Sequence, residues 1–416
     1  MMSTERTLQH IAFFEALALM EETSADWRAL SAGLVVLRLF DAWIEDGPSV
    51  VAADSWGARA VREAIAMVER RSTHRALLVS VVDAMAAAPV TRIATVAPRL
   101  MAYARVLQLD GRWRLAADVY RTVVAHAHPV EDADVVITAN MQLGACLRML
   151  AEWGEAAAAY ATAGQIAAVS GDIMNVLRSR VSEANIAIDR GNLPQAEAIL
   201  DETIERARET RHAETTALAL HARSHVAHQR GDHELAVRLA YEALEGTTSP
   251  AARDRILGDI ASNFVELGVR SAARDANLIL AATAQDQYVR WTATINLMEL
   301  AAFDCSEPVF EQYRKELAGG EMPPVLAAYY HYYVGQGYRM FHRPELARPA
   351  LERAIEIART HQVNQVVFEA ESSLAELKAG GRGPMAPAPA PAYEASSATM
   401  AVADAIHEMR EMAGVA

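Results

Sequence analysis

Three histidines on one predicted helix are the residues whose type and spacing most directly suggest chemistry. His221 and His225 are four residues apart and His228 follows three residues later, so their side chains share one helix face. Neutral imidazoles at this spacing can bind zinc or a similar transition metal, but no carboxylate or cysteine completes an obvious ligand set. Protonation near a typical histidine pKa of about 6.5 would instead make the surface respond to pH. If the three histidines are simply solvated surface residues, they neither bind a metal nor respond to pH in a functional way. We therefore expect no bound metal and retain these histidines only as a weak candidate metal site.

A tyrosine-rich segment, AYYHYYVGQGYRMF at residues 328–341, is the second stretch that could form a ligand site. Aromatic rings can stack on a ligand, but at helical spacing most of them are expected in a core. The tyrosines predicted to pack between helices are Tyr330, Tyr333 and Tyr338. Tyr329 and Tyr332 remain available to a ligand.

Motifs of the common enzyme classes do not occur in the sequence. It contains no GxxxxGK[ST] phosphate loop, no GxSxG elbow and no HExxH metal motif. The glycines of GGRG at residues 380–383 lie in a Pro/Ala/Gly-rich stretch without a preceding strand, so they do not form a nucleotide fingerprint. We therefore predict a protein that is not an enzyme and that has no cofactor.

Composition limits the partners and the location of the chain. The 416 residues carry a formal charge of −14, which argues against general binding to nucleic acid or to an anionic membrane. With only Cys146 and Cys305 and no CxxC motif, a disulfide framework is not expected. Charged residues interrupt the N-terminal apolar stretch, and no apolar run approaches the roughly 20 residues of a membrane span. These features predict a cytoplasmic protein.

An internal repeat organises the helices from residue 96 onward. Its turn residues are separated by 40, 40, 40, 37, 36 and 38 residues, and they are Gly111, Ala151, Gly191, Gly231, Gly268, Asp304 and His342. Small residues recur seven before and five after most of these turns, where they let paired helices approach closely. This periodicity predicts about seven helical hairpins between residues 96 and 378.

The repeat resembles the tetratricopeptide repeat (TPR) family, and the segment LGACLRMLAEWGEAAAAYATA at Leu143–Ala163 carries the likeness best. The units exceed the consensus of about 34 residues, as in long-repeat bacterial regulatory and peptide-sensing TPR proteins. The resemblance implies an all-α fold, a right-handed α-solenoid of antiparallel helical hairpins. Residues 1–95 would then form an N-terminal helical block of degenerate or capping repeats.

The same resemblance implies a concave groove lined by the first helix of each hairpin, at positions 13, 10, 6 and 3 before the turn. Arginine, asparagine, histidine and aromatic residues there suit a peptide or protein segment. The predicted groove residues are Arg105, Arg148, Arg178, Asn185, His221, His225, His228, Trp291, Met298, Tyr329, Tyr332, Gln336 and Arg339.

The C-terminal part changes character abruptly. Residues 379–395 are rich in proline, alanine and glycine and predict a flexible linker. Residues 396–416 predict a short amphipathic helix, capped at Ser396 and stopped at Gly414, which is too short to be stable alone. Its apolar stripe, expected to dock on the chain's own groove, on another copy or on a partner, is Val402, Ile406, Met409 and Ala413.

The sequence thus predicts a non-catalytic scaffold or sensor that binds a peptide or protein segment. Regulation of this binding by the chain's own C-terminal helix is one form that the prediction takes. One alternative is the signal-sensing part of a transcriptional regulatory system. Another is a helical-repeat enzyme or metal-binding protein that uses His221, His225 and His228. That last alternative requires the histidines to converge with a carboxylate.

Overall fold

The computed structural model describes residues 9–88, 91–319, 322–361, 363–378 and 395–415. Every regular element in these residues is a helix. The chain divides into two compact units, Met1–Ala207 and Arg208–Ala416. The all-α prediction is confirmed, and none of the helices in the described residues combines the length and the apolar composition needed to cross a membrane.

Unit 1 begins with an irregular block and continues with paired helices, and a 3-10 turn at Pro48–Val51 joins its second and third helices. Its helices are α1 Ile11–Ala18, α2 Ala25–Asp46, α3 Trp56–Ala66, α4 Thr73–Ala87, α5 Ile93–Leu109, α6 Trp113–His126, α7 Ala133–Met149, α8 Trp153–Ser170, α9 Ile173–Asp189 and α10 Leu193–Glu209, which crosses the unit boundary. From α4 to α9 each helix packs on the next, and α5, α7 and α9 also contact one another in sequence.

Unit 2 repeats this arrangement of neighbours. Its helices are α11 Ala213–Gln229, α12 His233–Gly246, α13 Pro250–Glu266, α14 Arg270–Thr283, α15 Gln287–Phe303, α16 Glu307–Leu317, α17 Pro324–Met340, α18 Pro344–Thr360, α19 Asn364–Lys378 and α20 Ser397–Met412. Helices α11 to α16 pack sequentially, as do α17 to α19, and α15 contacts α17 directly. Packing between sequence neighbours is the arrangement of an α-solenoid.

Seven hairpins close with the same turn, a Schellman motif. In the fourth, the Gly231 N–H donates to the His228 carbonyl at 2.8 Å and the Asp232 N–H donates to the Ala227 carbonyl at 3.0 Å. The residue corresponding to Gly231 has positive φ in every case, a conformation that glycine adopts without steric cost. These residues are Gly111, Ala151, Gly191, Gly231, Gly268, Cys305 and His342.

The sixth turn corrects the predicted register. Its left-handed residue is Cys305 with φ of 55°, whereas the predicted turn residue Asp304 has φ of −83°. The intervals from Gly268 to Cys305 and from Cys305 to His342 are therefore both 37 residues (305 − 268 and 342 − 305). With the corrected origin, the residue five after the turn is Phe310, which is fully buried.

Close helix approach in the hairpins depends on the small residues before the turn. A Cβ atom on Gly144 would lie 2.5 Å from Cε1 of Tyr160, and one on Gly335 would lie 2.6 Å from Cδ2 of Leu351. Both neighbours are core residues of the second helix in the same hairpin. A larger side chain would therefore push the two helices apart.

The N-terminal block is held to the first hairpin through His10. Its Nε2 lies 2.8 Å from Oδ2 of Asp41 on α2, and its Nδ1 lies 3.1 Å from Oδ2 of Asp118 on α6. Burial lowers the pKa of this imidazole, but the hydrogen bonds and charges of Asp118 and Asp41 outweigh burial and raise the pKa to about 9. A protonated ring therefore pairs with both carboxylates at neutral pH.

Replacing Gly144 with alanine tests the role of close approach. We expect the Gly144→Ala variant to lose about 1 to 3 kcal/mol of stability, because the Tyr160 ring must shift to admit the methyl group. The measurement is urea unfolding followed by far-UV circular dichroism. Gly154→Ala is the matched control, since a Cβ there meets nothing within 4 Å, and it should be neutral or stabilising by up to about 1 kcal/mol. Equal stability of the two variants would contradict this explanation.

Candidate functional site

In unit 2 the first helices of the hairpins are α11, α13, α15 and α17, and we call the surface that they form the first-helix face. The position six residues before each left-handed turn residue recurs on this face every 37 residues. It is occupied by His225, Ser262, Glu299 and Gln336. All four side chains are exposed or partly buried. One polar side chain per helix thus occurs at equivalent positions along unit 2.

The histidines of α11 converge with a carboxylate on the next hairpin. Asp259 Oδ2 on α13 lies 2.7 Å from Nε2 of His221 and 3.1 Å from Nε2 of His225. The two Nε2 atoms are 3.1 Å apart. The carboxylate that the sequence did not supply next to these histidines is therefore provided by the neighbouring hairpin.

His228, the third candidate ligand, lies outside this group. Its Nδ1 is 3.0 Å from Oδ1 of Asn263, which also lies 3.0 Å from Nδ1 of His233 at the start of α12. The Asn263 amide nitrogen donates to the Asp259 carbonyl at 2.8 Å, which orients the amide oxygen toward both rings. A recess of about 90 Å³ borders both groups. It is lined by Ser224, His225, His228, Gln229, Asp259, Ser262 and Asn263.

The Asp259 carboxylate is held in its ionised form. Burial alone raises the pKa of Asp259, but the hydrogen bonds and charges of His221 and His225 outweigh burial and hold the pKa below its ordinary value. Hydrogen bonds to a charged form favour that form. The carboxylate is thus an acceptor that joins α11 to α13.

A second polar centre lies on α15, at Glu299. Burial raises the pKa of Glu299 to about 7, because burial disfavours the charged form of a carboxyl group. The pKa of Tyr333 is raised mainly by the burial of that tyrosine, and the negative charge of Glu299 raises it further. Trp291 and Tyr333 are partly buried against the core cluster that contains Ile295, Met298 and Phe310. A positively charged or hydrogen-bond-donating ligand group would restore the ionised carboxylate.

Glu299 takes the place that the sequence assigned to Met298. Met298 is fully buried in the core, so its assignment to the groove is wrong. The physical reason is the sixth turn: with Cys305 as its origin, the position six before the turn is Glu299.

On α17 the predicted groove residues are engaged with α19. Gln336 Nε2 donates to Ser373 Oγ at 2.7 Å, and Arg339 Nη1 donates to Gln336 Oε1 at 2.9 Å. Arg339 also pairs with Glu376, and only 4% of its side chain is exposed. Its assignment as a groove residue is therefore wrong, because it is a buried link between two helices.

The predicted tyrosines divide between core and surface. Tyr330 and Tyr338 are buried, with hydroxyls that donate to the Arg314 carbonyl at 3.1 Å and to Glu311 at 2.6 Å. Tyr329 and Tyr332 are partly buried against the core cluster that contains residues of α18 and α19. The two tyrosines expected near a ligand thus keep part of their surface exposed.

The remaining predicted groove residues belong to unit 1. Arg148 donates to Asp189 Oδ2 at 2.6 Å, joining α7 to α9. Nη1 of Arg105 donates to Oε1 of Gln108 on the same helix at 3.3 Å. Arg178 is exposed and Asn185 is partly buried. These four residues lie in unit 1, whereas the histidine cluster lies in unit 2.

The C-terminal helix α20 packs on α12 and α14, the second helices of their hairpins. Val402 and Ile406 are buried, Met409 is partly buried, and Ala413 follows the helix as an exposed residue. Ser396 caps α20 by accepting from the Thr399 N–H, as predicted. The predicted linker, apart from residue 395, lies outside the described residues.

A buried carboxylate fixes α20 in this position. Asp275 on α14 is 8% exposed, and its two oxygens lie 2.7 Å from Nδ1 of His407 and 2.8 Å from Nη1 of Arg410. The main chain of Ser396 adds a hydrogen bond to Glu234 of α12 at 2.7 Å. The docked helix therefore lies on second helices, and the first-helix face is formed by other elements.

Removing the charge of Asp275 should release α20. In the Asp275→Asn variant we expect amide hydrogen exchange in residues 397–412 to become at least tenfold faster, because two charge-assisted hydrogen bonds are weakened. Glu411→Gln is the control, since Glu411 is largely exposed and pairs with His407 at 3.5 Å. Unchanged exchange in Asp275→Asn would show that apolar packing alone holds the helix.

Glu299→Gln should stabilise unit 2 in a pH-dependent way. The folded pKa of about 7 lies above the ordinary value of 4.5, so the folded state binds the proton more tightly and stability falls as pH rises through this range. At pH 8 we expect Glu299→Gln to raise the free energy of unfolding by about 2 kcal/mol, and at pH 4 to change it little. Urea unfolding at both pH values measures this, with the exposed Glu316→Gln as control. An equal effect of Glu299→Gln at both pH values would contradict the assignment.

Comparison with known proteins gives structural likenesses at low identity. No protein-family model and no curated protein matches the chain. BtubC (BKLC) from P. vanneervenii is 16% identical, with 56% of this chain and 85% of that chain covered and a TM-score of 0.36. The Rap conjugation gene regulator of the plasmid pLS20, solved in complex with a Phr peptide, is 12% identical, with 79% of this chain and 96% of that chain covered and a TM-score of 0.46.

Proposed function

We propose that this chain is a non-catalytic scaffold or sensor of the long-repeat TPR type, acting in the cytoplasm. It binds a peptide or protein segment across the first-helix face of unit 2. The observation that carries the proposal is the recurrence of one polar side chain, exposed or partly buried, at an equivalent position of α11, α13, α15 and α17. A segment that crosses these helices meets a new hydrogen-bonding group on each of them.

The polar groups favour a partner with donor or cationic groups. Asp259 is ionised beside two histidines, and Glu299 is a partly buried carboxylate whose pKa is raised to about 7. A lysine, arginine or terminal amine placed at Glu299 would favour its charged form and gain a charge-assisted hydrogen bond. The formal charge of −14 also favours approach of a basic segment.

The energetics of Glu299 support a binding role over a structural one. A carboxylate that is shielded from water without a compensating positive charge destabilises the fold when it ionises. Residues that lower stability in this way are concentrated at sites selected for function. The same face would serve the alternative role of a signal sensor within a transcriptional regulatory system, since that role needs the same ligand contact.

The proposal is tested with peptides selected from a random dodecapeptide display library on the immobilised chain. Fluorescence anisotropy then compares their affinity for the wild type and for a Glu299→Gln/Gln336→Ala variant. We expect at least tenfold weaker binding, about 1.4 kcal/mol, because two contacts on neighbouring first helices are lost.

The matched control is Glu316→Gln/Gln312→Ala, which makes the same chemical changes at exposed positions of α16. It should bind the selected peptides as the wild type does. Failure to select any peptide, or equal affinity of the two double variants, would overturn the proposal.

A further inference from the structure

We propose that His221, His225 and Asp259 form a binding site for a divalent transition-metal ion of the zinc class. This inference concerns a site that needs no peptide, and so it goes beyond the function proposed above. It rests on the convergence of three side-chain atoms from two helices.

The donor atoms have the spacing that a metal requires. The separations are 2.7 Å from His221 Nε2 to Asp259 Oδ2, 3.1 Å from His225 Nε2 to the same oxygen, and 3.1 Å between the two nitrogens. Metal–ligand bonds of about 2.0 to 2.1 Å in tetrahedral geometry place ligand atoms about 3.3 Å apart. Small side-chain rotations therefore open the triangle enough for an ion to replace the hydrogen bonds.

The chemistry of the donor set selects the class of ion. Two imidazole nitrogens and one carboxylate oxygen suit zinc and neighbouring first-row metals, whereas calcium and magnesium prefer oxygen ligands alone. Three protein ligands leave a coordination position for water or for a ligand atom. Among the described residues, these three are the group of histidine, cysteine and carboxylate side chains that could share an ion.

The fold holds the ligands before any metal arrives. His221 and His225 are one turn apart on α11, which fixes their separation, and their rings meet edge to face with centroids 4.7 Å apart. Asp259 extends from α13, and its neighbour Asn263 on the same helix is tied to His228 one turn along α11. This second contact joins the same two helices and involves none of the three ligand atoms.

Accessibility permits an ion to enter. The side chains of His225 and Asp259 are 46% and 41% exposed, while that of His221 is 14% exposed. One ligand is therefore fixed by packing and two can adjust. A bound ion would join α11 to α13 and so link two consecutive hairpins of unit 2.

The experiment is equilibrium dialysis of the full chain against Zn²⁺, with Co²⁺ as a spectroscopic probe of coordination. We expect one saturable Zn²⁺ per chain and a visible d–d absorption of bound Co²⁺ typical of a tetrahedral site. Affinity should fall at least tenfold in His225→Ala and in Asp259→Asn. Circular dichroism of each variant verifies that it folds.

His228→Ala is the matched control, because it removes an imidazole from the same helix without touching the three ligands. It should keep the wild-type affinity for Zn²⁺. Three results would overturn the site: no saturable binding, binding that survives His225→Ala and Asp259→Asn, or an equal loss in His228→Ala. Since no peptide is present, these results are independent of the peptide-binding test.

Discussion

Each hairpin of the repeat array is closed by one residue in the left-handed conformation. The register of the residues in the two helices of the hairpin follows from this turn. The N–H groups of this residue and its successor bond to carbonyls in the last turn of the first helix, as at Gly231 and Asp232. This fixes where the first helix ends and where the second begins. Because the turn is the same each time, side chains at equal distances from it occupy equivalent positions. The first-helix face of unit 2 is a direct consequence of this regularity.

Close packing then converts the regular turns into regular helix pairs. Gly144 against Tyr160 and Gly335 against Leu351 show that a missing Cβ makes room for a large core side chain. The core is thereby confined to one side of each first helix, and its other side is left for polar residues. His225 and Glu299 lie on that side, and Glu299 opposes folding when it is ionised.

The sequence predicted the architecture well because periodic glycine and alanine positions report directly on turns and helix contacts. It misplaced the sixth turn because aspartate is a common turn residue, whereas Cys305 adopts positive φ only under the constraint of neighbouring helices. This shift of one residue exchanged Glu299 for Met298. The sequence analysis also missed Asp259. This residue is flanked by positions 258 and 262, which lie one 37-residue repeat after His221 and His225. Pairing the histidines with Asp259 requires the lateral packing of α11 and α13, which no local pattern encodes.

The C-terminal helix shows a similar limit. Of the predicted stripe, Val402 and Ile406 are buried, Met409 is partly buried and Ala413 is exposed. An apolar stripe does not by itself specify which surface receives it. The choice is made by Asp275, a buried acceptor on α14 that pairs with His407 and Arg410. Since α20 lies on α12 and α14, self-regulation through occupation of the first-helix face does not describe this arrangement.

Hydrogen exchange of the chain with and without a selected dodecapeptide measures directly whether the first-helix face binds the partner. We predict slower exchange in α11, α13, α15 and α17 when the peptide is bound, with α12 and α14 unchanged. Slower exchange confined to α12 and α14, accompanied by faster exchange in α20, would contradict it. That result would place the partner on the surface that the C-terminal helix covers.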